Sequence, residues 1–266
     1  VRLAFALIVL IATCLAGGVE AAPGSVYLED LTWTELRDAI KAGDTTIIIP
    51  VGGTEQNGPH MALGKHNTRV KVLAGRIAST LGDTLVAPVL AYVPEGNISP
   101  PSEHMRFPGT ISIPDQAFKA TVLGAARSLK QAGFTHVVLL GDHGGYQHLL
   151  KDVAAELNRE WAGTPARAHF IDDYYRASTT AYAQALRAKG LSDAQIGSHA
   201  GTADTSLQMA VDPAQVRADR LEGAEKPATG VIGDPRPSTA ALGQLGVDLI
   251  VTQTVAAIKK ARAEKR

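Results

Sequence analysis

The sequence predicts an α/β protein with a mostly parallel sheet, and three observations predict it. Short, almost unbroken apolar runs such as "TTIIIPV" and "THVVLLG" recur along the chain, the pattern of strands buried on both faces. Between them lie longer segments with apolar residues at helical spacing, so strand and helix alternate. No repeat or linker divides the chain after its leading segment, so residues 22–266 read as one domain. With 266 residues and 45% hydrophobic content, that domain can bury a substantial core. The 26 basic and 26 acidic residues cancel, which leaves no electrostatic reason to expect a nucleic-acid partner.

The elements follow in order. "LTWTELRDAIKAG" is a helix that Thr32 or Thr34 caps and Gly43 stops. "TTIIIPVGG" is a buried strand broken by Pro50 and two glycines. "NTRVKVLAGRIASTLG" is helical and "TLVAPVLAYV" is the next strand. Prolines at 94, 100, 101, 108 and 114 make "PEGNISPPSEHMRFPGTISIP" irregular. "DQAFKATVLGAARSLKQAGF" is a helix stopped by Gly133, and "THVVLLGDHGG" is a strand running into glycines. "YQHLLKDVAAELNREWAG" is helical, and "ARAHFIDDYY" reads as a strand. "SDAQIGSHAGTADTSLQMAVDP" opens as a loop and becomes helical near Thr205, and the C-terminal tail forms an amphipathic helix.

Residues 1–21 read as a signal peptide. Arg2 precedes an apolar stretch of suitable length that reaches Val19-Glu20-Ala21, and cleavage after Ala21 is expected. The stretch is too short to span a bilayer comfortably, so the chain is expected to be exported to a periplasm with no stable membrane span. Cys14, the only cysteine, follows Thr13, where a lipoprotein signal would have a smaller residue, so lipidation is the minor alternative. The mature chain would carry no thiol, and any metal site must come from His, Asp and Glu.

The segment "PVGGTEQNGPHMALGKHN" (50–67) gathers Glu55, His60 and His66 in a glycine-rich run. Glu55 follows one predicted strand and His143, in "GDHGG", follows another. In open parallel sheets, sites collect at the carboxyl ends of strands. A hydrolytic metal site needs three or four nitrogen or oxygen ligands and an open position for water. Glu55, His60, His66, His143 and Asp204 are candidates, with Asp142 beside them. Taken singly, a histidine or acid in a glycine-rich loop is more often a turn-stabilising hydrogen bonder than a ligand, and the Glu55–His66 spacing matches no HExxH helix. There is no G-x-S-x-G nucleophile elbow, and "GDHGG" lacks the lysine of a P-loop. His136, His148 and His169 show no partner pattern and take no role.

The same loop resembles the opening motif of the creatininase (creatinine amidohydrolase) family, a strand ending in a G-[ST]-x-E-Q-H-G-P-H-type loop. "SEHMRFPGT" (102–110), "GDHGGYQ" (141–147), "HAGTADTS" (199–206) and "GVIGDPRPSTAALG" (230–243) are similar to the family's later motifs, in order. The resemblance implies a three-layer α/β/α sandwich, often homo-oligomeric, with divalent zinc, manganese or iron. The implied reaction is hydrolysis of a C–N bond in a cyclic or linear amide. Glu55 and His143 then match metal ligands, Asp204 falls on a ligand glutamate, and His199 matches a histidine that moves protons.

Two departures from the motif bear on the metal. Asn57 stands where the family has a histidine, and His66 where it has an aspartate bridging two metals. A carboxylate bridges two cations easily, whereas a neutral imidazole offers one lone pair. A mononuclear site of Glu55, His66, His143 and Asp204 is therefore expected, with one zinc per chain and iron or manganese as alternatives. Asn57, His60 and Asp142 are expected behind the ligands. The metal would acidify water and polarise the carbonyl, with His199 as general base and then acid. Glu103 and His104 are further acid/base or substrate-contact candidates, or pins for their loop. Tyr174 and Tyr175 contact substrate or pack the core. The expectation is a metal-dependent amidohydrolase acting on a small-molecule amide. The alternative is a periplasmic protein that holds a metal or small ligand on the same fold without turnover.

Overall fold

Ile47, Ile49 and Val51 join one buried cluster and Ile48 joins another, because successive strand residues point to opposite faces. The same split separates Val137 and Leu139 from Val138 and Leu140. Both faces are dry, which is why these segments read as continuous apolar runs. In the computed structural model, which describes residues 24–264, the strands are β1 (Thr46–Val51), β2 (Thr84–Val86), β3 (His136–Gly141) and β4 (Arg167–Phe170). They form a parallel sheet in the order β2-β1-β3-β4.

Helices cover both faces. On one side lie α1 (Trp33–Ala42), α3 (Asp115–Ala132) and α4 (Gln147–Glu160), packing Leu36, Phe118, Val122, Leu150 and Val153 on the sheet. On the other lie α2 (Lys65–Leu81), α5 (Asp173–Arg176), α6 (Tyr182–Ala188), α7 (Asp193–Ile196), α8 (Thr202–Val211) and α9 (Ala240–Ala263). The result is a three-layer α/β/α sandwich. Truncating a fully buried residue such as Leu139 to alanine would cost about 2–5 kcal/mol.

Local chemistry sets several boundaries. Thr32 caps α1 in a reciprocal box with Glu35, and Gly43 closes it with a left-handed turn. Helix α9 is long and apolar enough, by length and composition, to cross a membrane. Here it packs Val247, Ile250, Val255 and Ile258 into the core. It lies so close to α8 that a Cβ on Gly243 would sit 1.8 Å from the Ser206 carbonyl oxygen.

Three elements differ from expectation. The second strand ends at Val86, and Leu90 and Val93 make only isolated bridges, since Pro88 interrupts the ladder. The segment "ARAHFIDDYY" is strand only to Phe170, and Tyr174 and Tyr175 belong to α5. Two acids, Asp172 and Asp173, open that helix, where the dipole favours them. Helix α8 begins at Thr202, a turn earlier than expected, and α6 has no counterpart in the predicted elements. The expected signal peptide, with Cys14, lies outside the described residues.

Candidate metal centre

Strands β1 and β3 run in register, with Val51 opposite Gly141, so the loops that follow them emerge side by side. This juxtaposition places Glu55 beside His143. Helix α2 then enters with Lys65, His66 and Arg69 in its first turns, all three buried. His104 comes from a single 3₁₀ turn at Glu103–Arg106, and His199 from the loop before α8. Gly197, at φ 70°, allows that loop to lie against the backbone of Ile232, which a Cβ would meet at 2.2 Å.

Glu55 is fully buried at the centre. Its Oε1 lies 2.7 Å from His66 Nε2, and its Oε2 lies 3.6 Å from His143 Nε2 with no hydrogen-bond partner. His66 Nδ1 is 2.6 Å from Asp142 Oδ2. Arg69 Nη2, which can only donate, also lies 3.2 Å from His66 Nδ1, so the ring has partners on both nitrogens and either can carry the hydrogen. Hydrogen on Nε2 makes the 2.7 Å contact to Glu55 Oε1 an ordinary hydrogen bond, and hydrogen on Nδ1 leaves both facing atoms free for a cation.

A second trio converges on the same carboxylate. His104 Nε2 is 3.3 Å from Glu55 Oε2 and His199 Nδ1 is 3.7 Å from Oε1. The Gln56 amide decides what these rings do. Its Oε1 accepts from Gly58 N at 2.9 Å, and its Nε2 donates to Gly230 O at 2.9 Å and to His104 Nδ1 at 2.9 Å; His199 Nε2, 3.0 Å from the same nitrogen, carries a hydrogen for Gln56 O and so cannot accept from it. Both amide hydrogens are then spent. His104 carries its own hydrogen on Nε2, which turns an N–H rather than a lone pair toward Glu55. His199 Nε2 donates to Gln56 O at 2.9 Å, leaving its Nδ1 as an acceptor facing the cleft. Among the described residues, Glu55, His66 and His143 form one trio that could hold a cation, and Glu55, His104 and His199 form the other.

The field around these groups is strong. Burial pushes Glu55 up, but Lys65 and His66 outweigh it and hold the carboxyl well below its usual range. Burial, then His66, drives His143 down to about 4. Burial, then Lys65, drives His199 down to about 3. Both rings stay neutral near pH 7, the form in which a nitrogen can bind a cation or take a proton. Glu95, 3% exposed beside His143, is pushed up to about 9 by burial and by Glu55.

Other expected site residues fall differently. Asp204, expected as a fourth ligand, lies outside both trios and faces two cationic side chains. Its Oδ1 accepts from Arg69 Nη1 at 2.7 Å, and its Oδ2 from Lys65 Nζ at 3.1 Å and Ala200 N at 2.9 Å. Tyr174 is fully buried and donates to Asp142 Oδ1 at 2.7 Å, so it is out of reach of substrate, whereas Tyr175 lines the cleft. Glu103 is exposed and off the cleft wall, while its neighbour His104 lines it. Asn57 ties the backbone together through Glu55 O and Ala62 O. His60 hydrogen-bonds Thr205 Oγ1 at 2.9 Å and belongs to neither trio. Lys65, Arg69, Gln56 and Glu95 were not singled out from the sequence. The spacing of Lys65 and Arg69, four apart on one helix face next to His66, was the available signal.

Imidazoles and a carboxylate converging at the carboxyl ends of parallel strands, inside an α/β/α sandwich, define a hydrolase of the divalent-metal class. Comparison with known proteins narrows this. The family model for creatininase (creatinine amidohydrolase) matches residues 29–258, and the chain belongs to that family of C–N hydrolases. It is 27% identical over 258 residues to the creatinine amidohydrolase of Pseudomonas putida, covering 89% of this chain and 97% of that one. It is 28% identical over 221 residues to a mycofactocin precursor peptide peptidase of Mycolicibacterium smegmatis, covering 74% and 78%. A manganese creatininase structure aligns with a TM-score of 0.74 at 26% identity, covering 91% of this chain and 100% of that one. A related creatininase structure is of a Zn–Zn type.

Proposed function

We propose that this chain hydrolyses a small amide with a single divalent ion held by Glu55, His66 and His143. The observation that carries it is the convergence of one ligand atom each from Glu55, His66 and His143 within 4.8 Å of one another, with Glu55 Oε2 buried and without a hydrogen-bond partner beside His143. An ion there supplies Lewis acidity toward the amide carbonyl and lowers the pKa of water. Two imidazoles and a carboxylate suit zinc first, with manganese or iron as alternatives. Charge supports one ion rather than two. Glu55, Asp142 and Asp204 face Lys65 and Arg69, a net single negative charge that one divalent ion already reverses.

The chain's own groups do the rest. His199 Nδ1 takes a proton from water and returns it to the leaving nitrogen, its ring held by the Nε2–H bond to Gln56 O. His104 Nε2 lies 3.3 Å from Glu55 Oε2 at the wall of the cleft. Tyr175, Ser178, Ser198 and Ile232 wall a cleft of about 220 Å³, a size that suits a small amide. The leader's pattern supports export, with a mature chain starting at Ala22. N-terminal sequencing of secreted material tests export, and sedimentation tests the homo-oligomer that the resemblance implies.

The experiment is elemental analysis of dialysed protein, wild type and His66→Ala, followed by an amide-substrate screen. About one metal per chain, lost in the variant, is the expected result. Two per chain would overturn the single-ion reading. None in either protein would overturn the hydrolase mechanism and promote a ligand-binding role for the cleft.

A further inference from the structure

Glu95 is a buried carboxyl that the proposed chemistry does not use. Only 3% of it is exposed, and neither side-chain oxygen has a hydrogen-bond partner. Its backbone is fixed, since its N–H donates to Ser112 Oγ at 3.0 Å. Leaving a buried polar group unpaired costs about 1–3 kcal/mol, so its retention calls for a physical reason. The chain also makes room for it. A Cβ on Gly53, which has φ 154°, would lie 2.4 Å from Glu95 Oε1.

The side chain aims at His143. Glu95 Oε2 is 3.4 Å from His143 Nδ1, while Glu55 Oε2 is 3.6 Å from Nε2. The ring therefore stands between two carboxyls, one for each nitrogen. His66 has the same arrangement, between Glu55 and Asp142. The contact at Nδ1 is roughly 0.5 Å longer than a settled N–H···O bond, and a small rotation of either side chain closes it. When Nε2 gives its lone pair to an ion, the hydrogen of His143 must sit on Nδ1. In the metal-free arrangement Gly145 N–H donates to Nδ1 at 3.3 Å, and that long bond is given up when Nδ1 carries the hydrogen, which leaves Glu95 as the acceptor there.

We propose that Glu95 is a positioning residue that accepts Nδ1–H of His143, fixing the tautomer and ring angle with which Nε2 meets the divalent ion. The inference rests on the metal-centre reading above. Outer partners of this kind are worth about 10–100-fold in metal affinity.

The test measures zinc affinity of the intact protein by chelator competition for wild type, Glu95→Gln and Glu95→Leu, alongside nitrogen NMR of the histidine rings. Glu95→Leu is expected to weaken zinc binding by about 10–100-fold. Glu95→Gln, whose amide oxygen still accepts, is expected to keep most of it. In zinc-loaded wild type, His143 should carry its hydrogen on Nδ1. Equal zinc affinity in all three proteins would overturn the role of Glu95 and leave the metal centre standing. A wild type that binds no zinc, manganese or iron would overturn the metal centre itself. If Glu95→Leu does not fold, the wild-type ring decides: hydrogen on Nε2 of His143 overturns the proposal.

Discussion

Replacing Lys65 with methionine is the sharpest test of how this centre is held together. The Lys65 side chain is 1% exposed, with Nζ 3.1 Å from Asp204 Oδ2 and 3.4 Å from Glu55 Oε1. At an effective dielectric constant of about 20, each contact is worth about 5 kcal/mol of Coulomb energy, offset by several kcal/mol for desolvating the ammonium. Methionine fills most of the volume but leaves two buried carboxylates facing each other. Removing one partner of a buried pair costs about 3–5 kcal/mol, which for a domain of this size lowers the melting temperature by about 6–20 °C. The assay is thermal unfolding of chelator-treated protein at pH 7.5, for Lys65→Met, Asp204→Asn and the double variant. The double variant should recover about 1–3 kcal/mol relative to the sum of the singles. Raising the salt to 1 M should change little, because buried pairs are weakly screened. A loss under about 1 kcal/mol, the range of exposed ion pairs, or strict additivity of the two variants, would refute the reasoning.

Three further outcomes follow from the same geometry. Gly243→Ala drives a Cβ into the Ser206 backbone and should cost about 3 kcal/mol, whereas Gly124→Ala, in open space on α3, should stabilise by up to about 1 kcal/mol; calorimetry of the pair separates packing from propensity. Gln56→Leu removes the amide that orients His104 and should lower kcat on the order of 100-fold at unchanged metal content, and an unchanged kcat would count against the tautomer assignment. At the far end of the sheet, His169 Nε2 lies 3.0 Å from His136 Nδ1. Burial, then His136, Arg167 and Arg262, push His169 down to about 4, and burial, then Arg262, lower His136 as well against a smaller opposing pull from Asp83. Between pH 6.5 and 4 the unfolded chain binds more protons at this site, so its contribution to stability is complete above pH 6.5 and is lost on acidification. His169→Asn should flatten that part of the urea-unfolding profile by up to about 2 kcal/mol, allowing for solvent screening.

How much of this was legible in the chain varies by residue. Glu55 and His143 could be placed because each follows an apolar run into glycines, and parallel strands bring such loops together whatever the rest of the fold does. Tyr174 and Tyr175 were misread as strand because "HFIDDYY" is apolar and aromatic at its ends. The acids between them instead start a helix that faces Tyr174 inward. Asp204 was read as a ligand from its place in a motif. Its oxygens go to Lys65 and Arg69, which look in the sequence like an ordinary solvated helix face.

The sequence alone therefore determined the alternating α/β architecture, the family, and the strand ends at which the chemistry sits, because hydrophobic periodicity and glycine breaks are local properties. Only the tertiary structure decided which atoms face one another. Register between β1 and β3 set Glu55 against His143, the entry angle of α2 turned Lys65 and Arg69 inward, and Gln56 set the hydrogens of two rings, His104 through its side-chain amide and His199 through its backbone carbonyl. Glu95, from an irregular proline-rich segment, reaches His143 only because Gly53 has no side chain. Contacts of this kind join residues far apart in sequence at tolerances of a few tenths of an ångström, and no local pattern encodes them.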